Sequence, residues 1–297
     1  MVTPPAEVAI DAALVRRLIA TQHPELAACP LTPVAAGWDN EIYRLGDDLV
    51  VRLPRRALAA TLVAHEQRWL PVLAPRLPIE IPVPVRTGHP EHGYPWPWSI
   101  TPWFEGMTAD LAELAAGEAQ RLAAFLRALH APAPEDAPRN PYRGVPLAER
   151  VTVYEQRRAS LAARGEPVEG DIHAIWVDAL AAPADTDPTW IHGDLHPRNV
   201  LVRSGRIAAI IDWGDVARGD RATDLAAVWL VLADAAARRR VIADLGDVPL
   251  SAWRRARGWA ALQALILLDA GLADDPRMAA IGRATLTRLG ADSGHQD

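Results

Sequence analysis

The stretch Trp190-Ile-His-Gly-Asp-Leu-His-Pro-Arg-Asn-Val-Leu-Val202, followed by Ile207-Ala-Ala-Ile-Ile-Asp-Trp-Gly214, decides how the chain is read. It sets a loop dense in polar groups between apolar runs. Asp194 comes five residues before Asn199, and Val200 to Val202 then begin a strand. Ser204-Gly205 supplies a turn, and a second apolar run, Ile207 to Ile211, delivers Asp212 at its end. Such a hairpin brings a carboxylate, a carboxamide and a second carboxylate to one rim. Metal-assisted phosphoryl transfer needs this trio. One carboxylate accepts the proton of an attacking hydroxyl, while the carboxamide and the other carboxylate hold Mg²⁺ on nucleotide phosphates.

His192-Gly-Asp-Leu-His-Pro-Arg-Asn199 together with Ile211-Asp-Trp-Gly214 resembles the catalytic and metal motifs of the aminoglycoside phosphotransferase family, whose fold is protein-kinase-like. The resemblance implies an α+β, two-lobed fold. Residues 1–104 would form a small β-rich nucleotide-binding lobe, and residues 105–297 a mostly helical lobe with the catalytic loop and the substrate cleft. Carried over residue by residue, Asp194 would be the catalytic base and His196 would lie near the transferred phosphoryl group. Asn199 and Asp212 would hold Mg²⁺, and Asp224 would bond the backbone of the catalytic loop. The implied donor is ATP or GTP, and the implied acceptor is a hydroxyl of an aminoglycoside or another cationic small molecule.

Working outward towards the N-terminus, residues 8–20 carry apolar positions at 10, 14, 15 and 18, one face of a helix. Leu31 to Ala36, Ile42 to Leu45 and Leu49 to Leu53 read as short strands. The turn Gly37-Trp-Asp-Asn40 has one glycine where protein kinases carry a glycine-rich loop. Leu49-Val-Val-Arg-Leu-Pro54 matches the strand that bears the phosphate-contacting lysine of kinases, and here the position holds Arg52. No lysine occurs in the chain, so all 31 basic residues are arginine. Arginine binds phosphate through a planar fork and is longer than lysine. Residues 57–73 form a helical pattern through Leu58, Leu62, His65, Trp69 and Leu73. The resemblance makes Glu66 on this helix the ion-pair partner of Arg52. Ile81-Pro-Val-Pro-Val85 can only be an edge strand or an extended segment. Trp96 to Gly106 is the candidate hinge, with Thr101, Trp103 and Phe104 placed to face a nucleotide base.

Towards the C-terminus, a helix is expected over Gly117 to Leu129, a proline-rich loop over 131–146, and helices over 147–163 and 171–182. Glu149, Glu155, Glu169 and Asp171 in this insertion are candidates to meet a cationic substrate, each with the alternative of a solvated helix face. Further helices are expected near 220–235, 251–271 and 276–289. Arg238-Arg239-Arg240 reads as a solvated helix end, and Asp215 matches no catalytic position of the family.

The whole chain sets limits. Its 297 residues can bury one large core or two smaller ones. A formal net charge of −6 without a basic stripe argues against a nucleic-acid partner. No apolar run approaches the roughly 18 residues of a membrane span. The single cysteine, Cys29, permits no intrachain disulfide, and Met1-Val-Thr-Pro-Pro has no secretory pattern, so the expected compartment is the cytoplasm. Two other readings stay open. His192, Asp194 and His196 alternate as ligands of a metal-dependent hydrolase would, and a catalytically inactive nucleotide-binding scaffold is the other. A serine hydrolase has no support, because no Gly-x-Ser-x-Gly elbow is present.

Overall fold

A computed structural model describes residues 5–168, 170–185 and 187–293. Glu169, one of the candidate substrate contacts, lies outside these residues. The first region is a sheet in the order β1-β2-β3-β5-β4, built from β1 (Leu31–Ala36), β2 (Asn40–Leu45), β3 (Leu49–Pro54), β4 (Arg86–Gly88) and β5 (Trp98–Pro102). All neighbours run antiparallel, and Val50 lies opposite Thr101. Helix α1 (Ala12–Gln22) starts at Asp11, whose carboxylate accepts the Leu14 N–H at 2.7 Å. Its Leu14, Val15, Leu18 and Ile19 pack with Tyr43, Leu53, Trp98 and Ile100 into one apolar core.

Helix α2 (Ala57–Leu73) has the expected limits but a different inward face. Ala59, Val63, Glu66, Leu70 and Leu73 are buried at alternating steps of four and three, whereas Leu58 is 61 % exposed. The expected row through Leu58, Leu62 and His65 is one position off. Turning the helix so that Glu66 meets Arg52 sets which row goes inward. The C-terminal half of α2, through Trp69, Leu70 and Leu73, packs into the core of the helical region instead of that of the sheet. Further sewing comes from the extended segment after it, where the Ile210 N–H donates to the Glu80 carbonyl at 3.0 Å.

The second region is helical: α3 (Glu118–Leu129), α4 (Val151–Ala163), α5 (Gly170–Ala181), α6 (Ala222–Leu225), α7 (Ala227–Val231), α8 (Ala235–Asp244), α9 (Leu250–Asp274) and α10 (Pro276–Ser293). Two small sheets are inserted among these helices. One runs β6-β8-β9, from β6 (Met107–Thr108), β8 (Val200–Arg203) and β9 (Arg206–Ile210). The other pairs β7 (Thr189–Ile191) with β10 (Ala217–Gly219). Trp229, Trp253 and Trp259 are core residues. The expected helix near 220–235 is broken into α6 and α7, and α8 follows. Arg238 on α8 is no solvated helix end. It is buried and forks onto Asp292 of α10 at 2.7 and 2.8 Å. A buried guanidinium needs such a partner, and the partner is 54 positions away.

Candidate active site

The hairpin of β8 and β9 is where the decisive stretch folds. The Ile211 N–H donates to the Asn199 carbonyl at 2.9 Å, which ties the end of β9 to the start of β8. Asn199 and Asp212 therefore face one cleft, of about 300 Å³, under the sheet. The Asn199 amide nitrogen donates to the Asp194 carbonyl at 2.9 Å, which leaves Oδ1 as the atom free to meet a cation. Asp212 has φ +62°, in the left-handed region that Asp tolerates better than most side chains, and its side chain is 61 % exposed. One of its oxygens lies 3.9 Å from Arg52. Two hard oxygen donors on one wall suit Mg²⁺, which takes a few carboxylate or amide ligands and completes its shell with phosphate and water.

Arg52 on β3 points into the same cleft and donates from Nη1 to both oxygens of Glu66, at 3.0 and 2.9 Å. Burial disfavours charge on both partners. It raises the Glu66 carboxyl against the pull of Arg52, while Glu66 and Asp212 hold the Arg52 guanidinium protonated. The cleft is closed above by Gly37, Trp38, Asp39 and Asn40, and along its edge by Thr101, Pro102, Trp103 and Phe104. Arg55 donates to the Gly37 carbonyl at 2.9 Å and Arg56 forks onto Asp39, so guanidinium groups fasten this turn. Ile42, Val50, Leu201 and Ile211 supply apolar walls. The Thr101 hydroxyl and Asn40 Oδ1 are buried and meet no protein partner among the described residues, as expected where a polar ligand completes the site. Trp103 is less free. Its N–H donates to the Asp48 carbonyl at 2.7 Å, its indole donates to Glu105 at 2.8 Å, and Arg44 stacks on its ring.

Asp194 stands next to Asn199 on the loop after β7. Asp224 holds that loop by accepting the His192 and Gly193 N–H groups at 2.7 and 2.8 Å. His192 Nδ1 accepts the Asp194 N–H at 3.2 Å, so the ring proton sits on Nε2 and goes to the Ile211 carbonyl at 3.0 Å. Both ring nitrogens are committed, and β7 ends at Ile191 before the alternation begins. The hydrolase reading thereby loses its first ligand and its strand. His196 points Nε2 at Asp194 Oδ2, 3.4 Å away.

Sequence reasoning missed the groups on the other side of Asp194. Arg143, from the loop before α4, donates to Asp194 Oδ1 at 2.6 Å and to Asp215 Oδ2 at 3.4 Å. Asn140 donates to Asp215 Oδ1 at 2.7 Å. Burial pushes both carboxyls up. At Asp194, Arg143 and the hydrogen bond from His196 outweigh it, and the group stays well below the usual aspartate range. At Asp215 burial prevails over Arg143, with the Asp194 charge adding to it, and the group is raised. No local pattern marks Arg143, because 51 positions separate it from Asp194. Of the candidate substrate contacts, Glu155 pairs with Arg158 one turn along its own helix.

Comparison with known proteins adds the relatives. The family model of the phosphotransferase enzyme family matches residues 30–259. No curated protein sequence matches the chain. Among solved structures, the GDP complex of aminoglycoside 2'-phosphotransferase-IIIa is similar over 96 % of this chain and 100 % of its own, at TM-score 0.67 and 19 % identity. Macrolide 2'-phosphotransferase MphH from Brachybacterium faecium is similar over 94 % of this chain and 97 % of its own, at TM-score 0.59 and 22 % identity. The streptomycin–ATP complex of APH(2")-IIa is similar over 95 % and 97 %, at TM-score 0.58 and 18 % identity. These likenesses establish the two-lobed, kinase-like fold.

Proposed function

Because the chain belongs to the phosphotransferase enzyme family, we propose that it is a small-molecule kinase that moves the γ-phosphoryl group of ATP or GTP to a hydroxyl. The acceptor is an aminoglycoside-like or other cationic small molecule. The lobes divide between Phe104 and Glu105. The observation that carries this reading is the single cleft in which Arg52, Thr101, Asn199 and Asp212 meet, with Asp194 bonded to Asn199 at its inner end.

In the mechanism, the 37–40 turn and the β8–β9 hairpin would hold the nucleotide, with Thr101 to Phe104 available to its base. Arg52, anchored by Glu66, would pair with phosphate oxygens. Asn199 Oδ1 and the Asp212 carboxylate would hold Mg²⁺, which when bound neutralises charge on the phosphates. Asp194 Oδ2 accepts the proton of the acceptor hydroxyl as its oxygen bonds to the γ-phosphorus in line and the bond to the departing nucleoside diphosphate breaks. His196 Nε2, 3.4 Å from that oxygen, is the neighbouring donor for negative charge on the transferred phosphoryl group. Asp194 is ionised at neutral pH, as a base of this kind requires.

The test is nucleotide consumption with Mg²⁺ across aminoglycosides, macrolides and small amino alcohols, with ATP and GTP in parallel and Asp194→Asn as control. Turnover on one compound that is lost in the variant supports the reading. A protein that neither binds nor consumes either nucleotide contradicts it.

A further inference from the structure

We propose that Arg143 is a positioning residue for Asp194: it holds Oδ1 and leaves Oδ2 as the oxygen presented to the acceptor hydroxyl. The proposal rests on the phosphotransferase reading of Asp194 and extends it to a residue outside both motifs.

Three observations carry it. First, the contact is directional. Arg143 Nη2 lies 2.6 Å from Asp194 Oδ1, while Oδ2 faces His196 Nε2 at 3.4 Å, so the two oxygens of one carboxylate have separate partners. The terminal torsion of an aspartate is broad and roughly two-fold, and a charged donor on one oxygen selects one of its settings.

Second, Arg143 is itself fixed. Its Nε reaches Asp215 Oδ2 at 3.4 Å, and Asp215 is held in turn by Asn140 at 2.7 Å. Asn140 Oδ1 also accepts the Tyr142 and Arg143 N–H groups, at 2.8 and 3.1 Å. The next residue locks the loop onto the helical region. Gly144 donates its N–H to Thr223 Oγ1 at 3.0 Å and accepts the Asp220 N–H at 2.9 Å. Gly144 has φ +65°, and a Cβ there would come within 2.5 Å of the Ile191 side chain. The loop is therefore seated on the strand that leads into the catalytic loop.

Third, the nucleotide cleft does not include Arg143. Removing it should disturb the geometry of transfer and leave donor binding alone. Its charge also offsets one of the two carboxylates beside the acceptor hydroxyl. Without it, Asp194 would keep only the 3.4 Å contact to His196 and would lose the cation it shares with Asp215.

The experiment measures kcat and the KM for nucleotide and for acceptor, with the acceptor found in the panel above. Wild type is compared with Arg143→Ala, Arg143→Lys and Asp215→Asn, each checked for folding by its thermal transition. Expected for Arg143→Ala is a loss of about 10²-fold in kcat with nucleotide KM within about twofold of wild type. Arg143→Lys, which keeps the charge but not the two-point hold, should recover part of the loss. Should Arg143→Ala fail to fold, Arg143→Lys and Asp215→Asn carry the same test, each with a smaller fall confined to kcat. Wild-type kcat in a folded Arg143→Ala overturns the proposal. So does a fall in kcat matched by weaker nucleotide binding and not relieved by lysine, since that pattern marks a structural role. Asp194-dependent turnover in wild type that ignores Arg143 refutes this proposal alone. Absence of any Asp194-dependent turnover refutes the phosphotransferase reading, and this one with it.

Discussion

Arg52 shows at the scale of one residue how a chain without lysine places a cation in the cleft. The guanidinium donates to both oxygens of a 2 % exposed Glu66 and still lines the cleft. Arg52→Ala leaves that carboxylate buried without its partner and should cost about 3 kcal/mol in a denaturant titration. Adding Glu66→Gln should return much of the stability and none of the turnover. Recovery of turnover in the double variant would remove Arg52 from the phosphate site. Asp212 allows a cleaner separation. Its φ of +62° suits Asn nearly as well as Asp, so Asp212→Asn should melt as wild type does while turnover falls about 10²-fold or more. A variant that melts earlier would show that the carboxylate is structural. The motif residues were legible as candidates that the fold brings together, because chemistry limits which side chains serve at that spacing. Arg143 and Asp215 were not, because a salt bridge across 51 positions leaves no local trace.

At the scale of elements, the helical region depends on close approach and on ion pairs between helices. A Cβ added at Gly258 of α9 would meet the Ala179 Cβ of α5 at 2.4 Å. Gly258→Ala should therefore destabilise the protein by about 1–3 kcal/mol, read from the urea midpoint, although alanine is the better helix former. A neutral or stabilising result would mean that the helices separate at little cost. Asp269 ties α9 to α4 through Arg157 at 2.5 Å and Ser160 at 2.6 Å. Burial raises its carboxyl, but Ser160, Arg157 and Arg164 outweigh that and hold it below its usual range. The folded form is then the weaker acid-binder. The stabilisation is complete above the ordinary value of about 3.9 and is lost as pH falls through the lower folded value. Asp269→Asn should be less stable than wild type at neutral pH, with the gap narrowing in acid. A constant gap would contradict the assigned ionisation. Helix limits such as 57–73 were legible from periodicity, but the inward row of α2 was not. A charged residue, Glu66, belongs to that row, and an apolar pattern does not count it.

Over the whole molecule, the order of elements along the chain anticipated the architecture: strands, a long helix, a further strand, helices, the β8–β9 hairpin and a helical tail. What the order could not convey is how the lobes are joined. Trp69, Leu70 and Leu73 of α2 belong to the core of the helical region, and the Glu80 carbonyl bonds to β9. The two lobes thus share packed and hydrogen-bonded structure, and the cleft lined by Arg52, Pro82, Asn199 and Asp212 lies between them. A ligand in that cleft would bridge both. Mg-nucleotide at about 100 times its Kd should then stabilise the fold by about 2.7 kcal/mol, visible as a rise in Tm. No helix among the described residues is long and apolar enough to cross a membrane.

The most direct test of the central claim follows the phosphoryl group itself. With γ-labelled nucleotide, Mg²⁺ and the acceptor panel, label should move into one acceptor class with the wild-type protein and stay in the nucleotide with Asp194→Asn. Label released only as inorganic phosphate, at the same rate with both proteins, would contradict the account.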